Sequence, residues 1–154
     1  MESKKKIFAI IAPGSGHINP VLCLIAELIK QQNVNVIFYS DESFRGQIIN
    51  IGATFRAYSH PTYLIREKNI AENKISLGGF LSEHIDIAYN VLPQLLKDIE
   101  TETPDLILYD SYFTMSKYLL EIIKNRQAAG TWNRKVPKSV MFVPNFPPCE
   151  KMVE

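Results

Sequence analysis

The sequence predicts a doubly wound α/β domain with a Rossmann-like parallel sheet in the strand order 3-2-1-4-5. Three observations predict it: short, continuous apolar runs that read as strands buried on both faces, helical apolar stripes between them, and short joints. Lys6 to Ala12 (KIFAIIA) is the first such run and is stopped by Pro13-Gly14. From Pro20 onward, Val21, Leu24, Ile25, Leu28 and Ile29 recur at helical spacing, with Asn19 expected as the N-cap and Pro20 at the first helical position. Val34 to Ser40 (VNVIFYS) reads as the second strand, and Asp41 to Ile51 as a second helix with Gly52 as its stop. Thr54 to Tyr58 reads as the third strand. Right-handed crossovers between parallel strands then set the topology.

The second half keeps the same alternation after a break. His60 to Ser76 is polar, carries Pro61 and shows no sustained period, which predicts a long loop. Gly78 and Gly79 then precede a helical pattern through Phe80, Ile85, Ala88, Val91, Leu95 and Leu96, with a kink expected at Pro93. Leu106 to Tyr109 (LILY) is a fourth strand ending at Asp110, Tyr112 to Lys124 is helical, and Ser139 to Val143 (SVMFV) is a fifth strand stopped by Pro144.

A chain of 154 residues is the size of one domain. Its 46% of hydrophobic and 21% of charged residues exclude the disordered class. With 17 basic and 16 acidic residues, the net charge of +1 gives no reason to expect nucleic acid or an anionic membrane as partner. The basic groups Lys4, Lys5, Lys6 and Arg134, Lys135, Lys138 read as solvated surface. Cys23 and Cys149 make neither a disulfide framework nor a metal-ligand spacing, and Cys23 falls in an apolar helical stripe, where core is expected. No signal-peptide pattern follows Met1 and no apolar run approaches the about 20 residues of a membrane span, so a cytoplasmic protein is expected.

In an open parallel sheet, ligands bind beyond the carboxyl ends of the strands, where the strand order reverses. For the order 3-2-1-4-5 that point lies between strands one and four. The segment Pro13-Gly14-Ser15-Gly16-His17-Ile18-Asn19-Pro20 and the pair Asp110-Ser111 therefore face one crevice, which brings His17 and Asp110 together. A carboxylate accepting from one imidazole nitrogen fixes the tautomer and leaves the other nitrogen to take a proton from a substrate. The helix start disfavours a charged imidazolium, and Asp110 favours it. The plainer reading of His17 is a loop residue that packs at a helix start. Gly14-Ser15-Gly16 also suggests dinucleotide binding, but the third glycine of that pattern is missing and Asn19-Pro20 replaces the small residue that lets the helix pack close to the cofactor. Asp41, at the end of strand two, stands where a ribose-binding acid would stand, or is a helix cap. A non-catalytic Rossmann-type module for a nucleotide or small ligand is thus the alternative.

The run Ala12 to Pro20, the helix Val21 to Lys30, the "VNVIFYS" strand and "IGATFRAYSHP" together resemble the N-terminal domain of the UDP-glycosyltransferase superfamily, with its GT-B fold. The nearest members are bacterial macrolide and related natural-product glycosyltransferases. Pro104 to Asp110 (PDLILYD) resembles the "PDLVLxD" strand of that family. The resemblance implies that residues 1–154 form one acceptor-binding domain. The donor-binding C-terminal domain would be supplied by the rest of a longer polypeptide or by a partner subunit of a split enzyme. It further implies an inverting transfer from a UDP-sugar to a hydroxyl of a small molecule, with His17 as general base and Asp110 as its partner, and with no metal and no tightly bound cofactor. Gly14, Ser15, Gly16 and Asn19 are the expected substrate-binding residues of the first loop, and Phe80, Tyr112, Phe113, Asn145 and Phe146 those of the acceptor pocket. One departure stands out: where the family has a short "GVP" turn, this chain carries the longer stretch Asn125 to Lys138, with Trp132.

Overall fold

The computed structural model describes residues 4–31, 33–60 and 77–144, and for 77–84 and Thr114 it describes the backbone alone. Five strands form one parallel sheet: β1 (Lys5–Ile10), β2 (Val34–Ser40), β3 (Thr54–Ala57), β4 (Leu106–Asp110) and β5 (Lys138–Phe142). Their order is β3-β2-β1-β4-β5, as the alternation of elements predicts. Ala9, in the central strand, pairs with Phe38 on one side and Leu108 on the other. Among the described residues, α-helices α1 (Ser15–Gln31), α2 (Arg45–Asn50), α3 (Leu77–Glu102) and α4 (Thr114–Ala128) accompany the sheet, with a 3₁₀ turn at Glu42–Phe44 before α2.

Successive side chains of a strand point to opposite faces, so a strand covered on both sides must be apolar throughout. That is why β1 shows no polar alternation. On one face Phe8, Ile10, Ile37, Tyr39 and Ile107 meet Val91, Leu95 and Ile99 of α3 and Leu119 and Ile123 of α4. On the other, Ile7, Ala9, Val36, Phe38 and Leu108 meet Ile18, Val21 and Ile25 of α1 and Ile48 of α2. A polar clamp also ties α3 to the sheet. The Tyr39 hydroxyl donates to Asp98 Oδ2 at 2.9 Å, and Arg56 Nη1 donates to the Tyr39 oxygen at 3.0 Å and to Glu102. Lys6 Nζ reaches the backbone carbonyl of Glu102 at 3.0 Å. Burial first, and then the charge of Asp98, push the Tyr39 phenol well above its ordinary range, so it remains a donor.

The structure departs from the sequence reading in three places that matter. First, α1 begins at Ser15, not at Pro20, and Asn19 is an exposed residue inside it. The carbonyl of Gly14 accepts the amides of both His17 and Ile18 at 2.9 Å, so the helical ladder starts there. Pro20 lies within the helix and removes only the rung to Gly16, whose exposed position leaves that carbonyl to water. Second, Cys23 is exposed, because the buried stripe of α1 runs through Ile18, Val21 and Ile25 and leaves position 23 on the outer side. Third, the helix expected over Tyr112 to Lys124 extends into the stretch Asn125 to Lys138. Helix α4 runs to Ala128, Gly130 reverses the chain at φ +71, and Trp132, only 4% exposed, packs into the core shared by α3 and α4. The expected long loop falls on 61–76, outside the described residues except for His60. Pro93 lies within the continuous α3.

Candidate functional site

Helix α1 follows β1 directly, and β4 is the hydrogen-bonded neighbour of β1. In an α-helix each Cα–Cβ bond tilts toward the helix N-terminus, so a side chain in the first turn leans back over the strand ends. His17 is the third residue of α1 and does this. Its Nδ1 lies 2.6 Å from Oδ2 of Asp110, the last residue of β4, although 93 residues separate them in sequence. The carboxylate is fully buried and the imidazole is 30% exposed, so the pair is anchored below and open above.

Both carboxylate oxygens are used. The backbone N–H of Tyr112 donates to Asp110 Oδ1 at 2.8 Å, which leaves Oδ2 for the imidazole. An ionised carboxylate is acceptor-only, so a neutral imidazole in this pair carries its proton on Nδ1 and presents a bare Nε2. Nε2 has no hydrogen-bond partner among the described residues. The Tyr112 ring stands edge-on to the imidazole, with centroids 5.6 Å apart, and is about half exposed. Arranged this way, the imidazole can receive a proton from a group placed above the crevice, and the buried carboxylate can stabilise the cation that results.

The other expected site residues divide. Gly14 forms one wall, since a Cβ built on it would lie 3.5 Å from His17 Cδ2. Ser15 and Gly16 are exposed in the first turn, and a Cβ on Gly16 would meet nothing within 4 Å. Asn19 is exposed one turn further along α1. Tyr112 borders the imidazole, whereas Phe113 is 3% exposed and belongs to the core. The side chain of Phe80, and Asn145 and Phe146, lie outside the described residues. Asp41 is 6% exposed at the start of the 3₁₀ turn and makes no side-chain cap bond there. The sequence reading missed Tyr58, which it treated only as the end of a strand. Its hydroxyl donates to the carbonyl of Ile11 at 3.0 Å, directly beneath the loop that leads to His17. Among the described residues no group of three or more His, Cys, Asp or Glu is arranged to hold a metal ion, and no helix is long and apolar enough to cross a membrane.

No protein-family model matches the sequence. Individual proteins do. The NDP-glycosyltransferase YjiC of Bacillus licheniformis is 33% identical over 120 residues, which cover 76% of this chain and 30% of the relative. An uncharacterized UDP-glucosyltransferase of Bacillus subtilis, YojK, is 22% identical over 113 residues, covering 73% of this chain and 28% of the relative. This chain thus spans less than a third of the length of these relatives. Among solved structures, the glycotransferase of kitacinnamycin superposes with a TM-score of 0.67 at 23% identity, covering 98% of this chain and 33% of that one. The calicheamicin glycosyltransferase CalG4 does so with a TM-score of 0.65 at 19% identity, covering 97% and 35%. Relatives and fold point the same way: the chain is similar to the stretch of these glycosyltransferases that it covers, and its fold is the one seen in GT-B glycosyltransferase structures.

Proposed function

We propose that this chain is the acceptor-binding part of an inverting, nucleotide-sugar-dependent glycosyltransferase in which His17 is the general base. The observation that carries the reading is the His17–Asp110 pair, closed at 2.6 Å over the switch point of the sheet. In the proposed reaction Nε2 of His17 takes the proton of an acceptor hydroxyl as its oxygen attacks the anomeric carbon of the sugar. The bond from that carbon to the diphosphate oxygen breaks, and the nucleoside diphosphate leaves with the electron pair. Asp110 holds the tautomer and stabilises the imidazolium. A UDP-sugar is the natural donor, since one relative is a UDP-glucosyltransferase and another an NDP-glycosyltransferase, and the acceptor is a hydroxyl-bearing small molecule. The donor would be held by a further donor-binding domain, in the same polypeptide or in a separate subunit. The chemistry needs no resident metal or cofactor, and the reading places the enzyme in the cytoplasm.

Asp110→Asn tests the reading with little change of shape. Oδ1 is committed to the Tyr112 amide, so the asparagine turns its oxygen there and its NH₂ toward His17. Nδ1 must then accept, the proton moves to Nε2, and the base is lost. In the enzyme assembled with its donor-binding part, sugar transfer is expected to fall by up to about 10⁴, the loss seen when an analogous partner carboxylate is amidated. Donor affinity stays constant. Unchanged transfer would remove the pair from the mechanism.

A further inference from the structure

Tyr58 lies one residue past β3 and is only 5% exposed, yet its contacts lead to both segments that carry the pair. Its amide donates to the carbonyl of Ser40 at 3.2 Å, which seats it beside the end of β2. Its hydroxyl crosses to the carbonyl of Ile11, the first residue after β1. From there the links continue: Gly14 N–H donates to the Ala12 carbonyl, and the Gly14 carbonyl accepts the amide of His17. The ring of Tyr58 packs on that of Phe113, with centroids 5.8 Å apart. Phe113 in turn donates its amide to the backbone carbonyl of Asp110 at 3.2 Å and accepts from Ser116 at 2.8 Å. Burial above all, and then the carboxylates of Asp41 and Asp110 and the neighbouring Tyr39, hold the Tyr58 phenol well above its ordinary range. The hydroxyl is therefore a permanent donor, and the fully buried Ile11 depends on it for that bond.

We infer that Tyr58 is a positioning residue for the His17–Asp110 pair: its hydroxyl braces the loop after β1, its ring braces the loop after β4, and together they set the gap that Nδ1 and Oδ2 must close. The consequence for turnover rests on the catalytic reading of the pair, whereas the bracing itself does not.

The test is read on the His17 ring, in the isolated isotope-labelled chain. Tyr58→Phe keeps the ring contact and deletes the hydroxyl. The Nδ1–H resonance of His17 is expected to exchange with water about tenfold faster, the factor that corresponds to losing the net contribution of one hydrogen bond. Phe113→Leu keeps the hydroxyl and deletes the ring contact, and is expected to move the same resonance. Ile99→Val controls for general loosening. Ile99 sits in the same core, on the last turns of α3 that lead to the start of β4, at the opposite end of the sheet from the crevice. This variant is expected to leave the Nδ1–H exchange as it is in the parent. An unchanged resonance in Tyr58→Phe and Phe113→Leu, or an equal change in Ile99→Val, would overturn the assignment. Loss of sugar transfer in Asp110→Asn with an unmoved Nδ1–H in Tyr58→Phe would overturn the bracing alone. The reverse pattern would overturn the catalytic reading alone.

Discussion

At the scale of single residues, the site depends on where one imidazole points. His17 reaches Asp110 because it belongs to the first turn of α1, where side chains lean toward the strand ends. Gly16, one residue earlier, has open space where a Cβ would stand and no left-handed backbone. On the chain alone, Gly16→Ala is therefore expected to raise stability by up to ~1 kcal/mol, since alanine has less freedom to lose on folding. A lower urea midpoint would contradict this. If the open space over Gly16 serves the substrates, the same variant lowers sugar transfer in the assembled enzyme. Meeting of His17 and Asp110 was legible in the sequence, because strand order alone brings the ends of β1 and β4 to one crevice. The roles of the Tyr112 amide and of Tyr58 were not. A backbone donor has no sequence signature, and a tyrosine at the end of an apolar run looks like any strand residue.

At the scale of elements, the boundaries went astray where glycine and proline were read by their averages. Gly14, Ser15 and Gly16 suggest a loop and Pro20 a helix start, yet α1 begins at Ser15, tolerates Gly16 in its first turn and takes in Pro20 one turn later at the loss of a single rung. The joint between α3 and β4 offers a pH test. Asp105 accepts the amide of Lys6 at 3.0 Å, and its own amide donates back to the Lys6 carbonyl at 2.8 Å. That backbone bond first, with smaller help from the charges of Lys5 and Lys135, holds the Asp105 carboxyl below its ordinary range. A carboxyl depressed in the folded state contributes stability above its unfolded value and loses it as pH falls through the folded one. The stability gap between the parent and Asp105→Asn, read from urea midpoints, is expected to be full at neutral pH and to shrink below about pH 4. A gap independent of pH would contradict the assignment.

At the scale of the whole molecule, the sheet order was predictable because each central strand is apolar on both faces, and only burial between two helical layers tolerates that. The outer strand β5 carries the same signature without the cover. Val140 and Met141, on opposite faces of this last strand in the order, and Val143 just past its end are each about half exposed, at 49, 48 and 48%. Among the described residues no strand pairs with the outer side of β5, and an apolar edge of this kind associates. The apparent mass of the chain by light scattering is expected to rise with concentration, and Val140→Lys with Met141→Thr to suppress the rise. A parent that stays monomeric at all concentrations would contradict this.

The central claim is that the paired imidazole is the base for sugar transfer. Its most direct test is the rate of transfer by His17→Ala in the enzyme assembled with its donor-binding part, measured beside the affinity for the UDP-sugar. The account predicts that transfer falls by about 10³ or more while donor affinity is unchanged, because the variant removes a group acting only on the acceptor proton. Transfer at the parental rate, with the donor still bound, would contradict it.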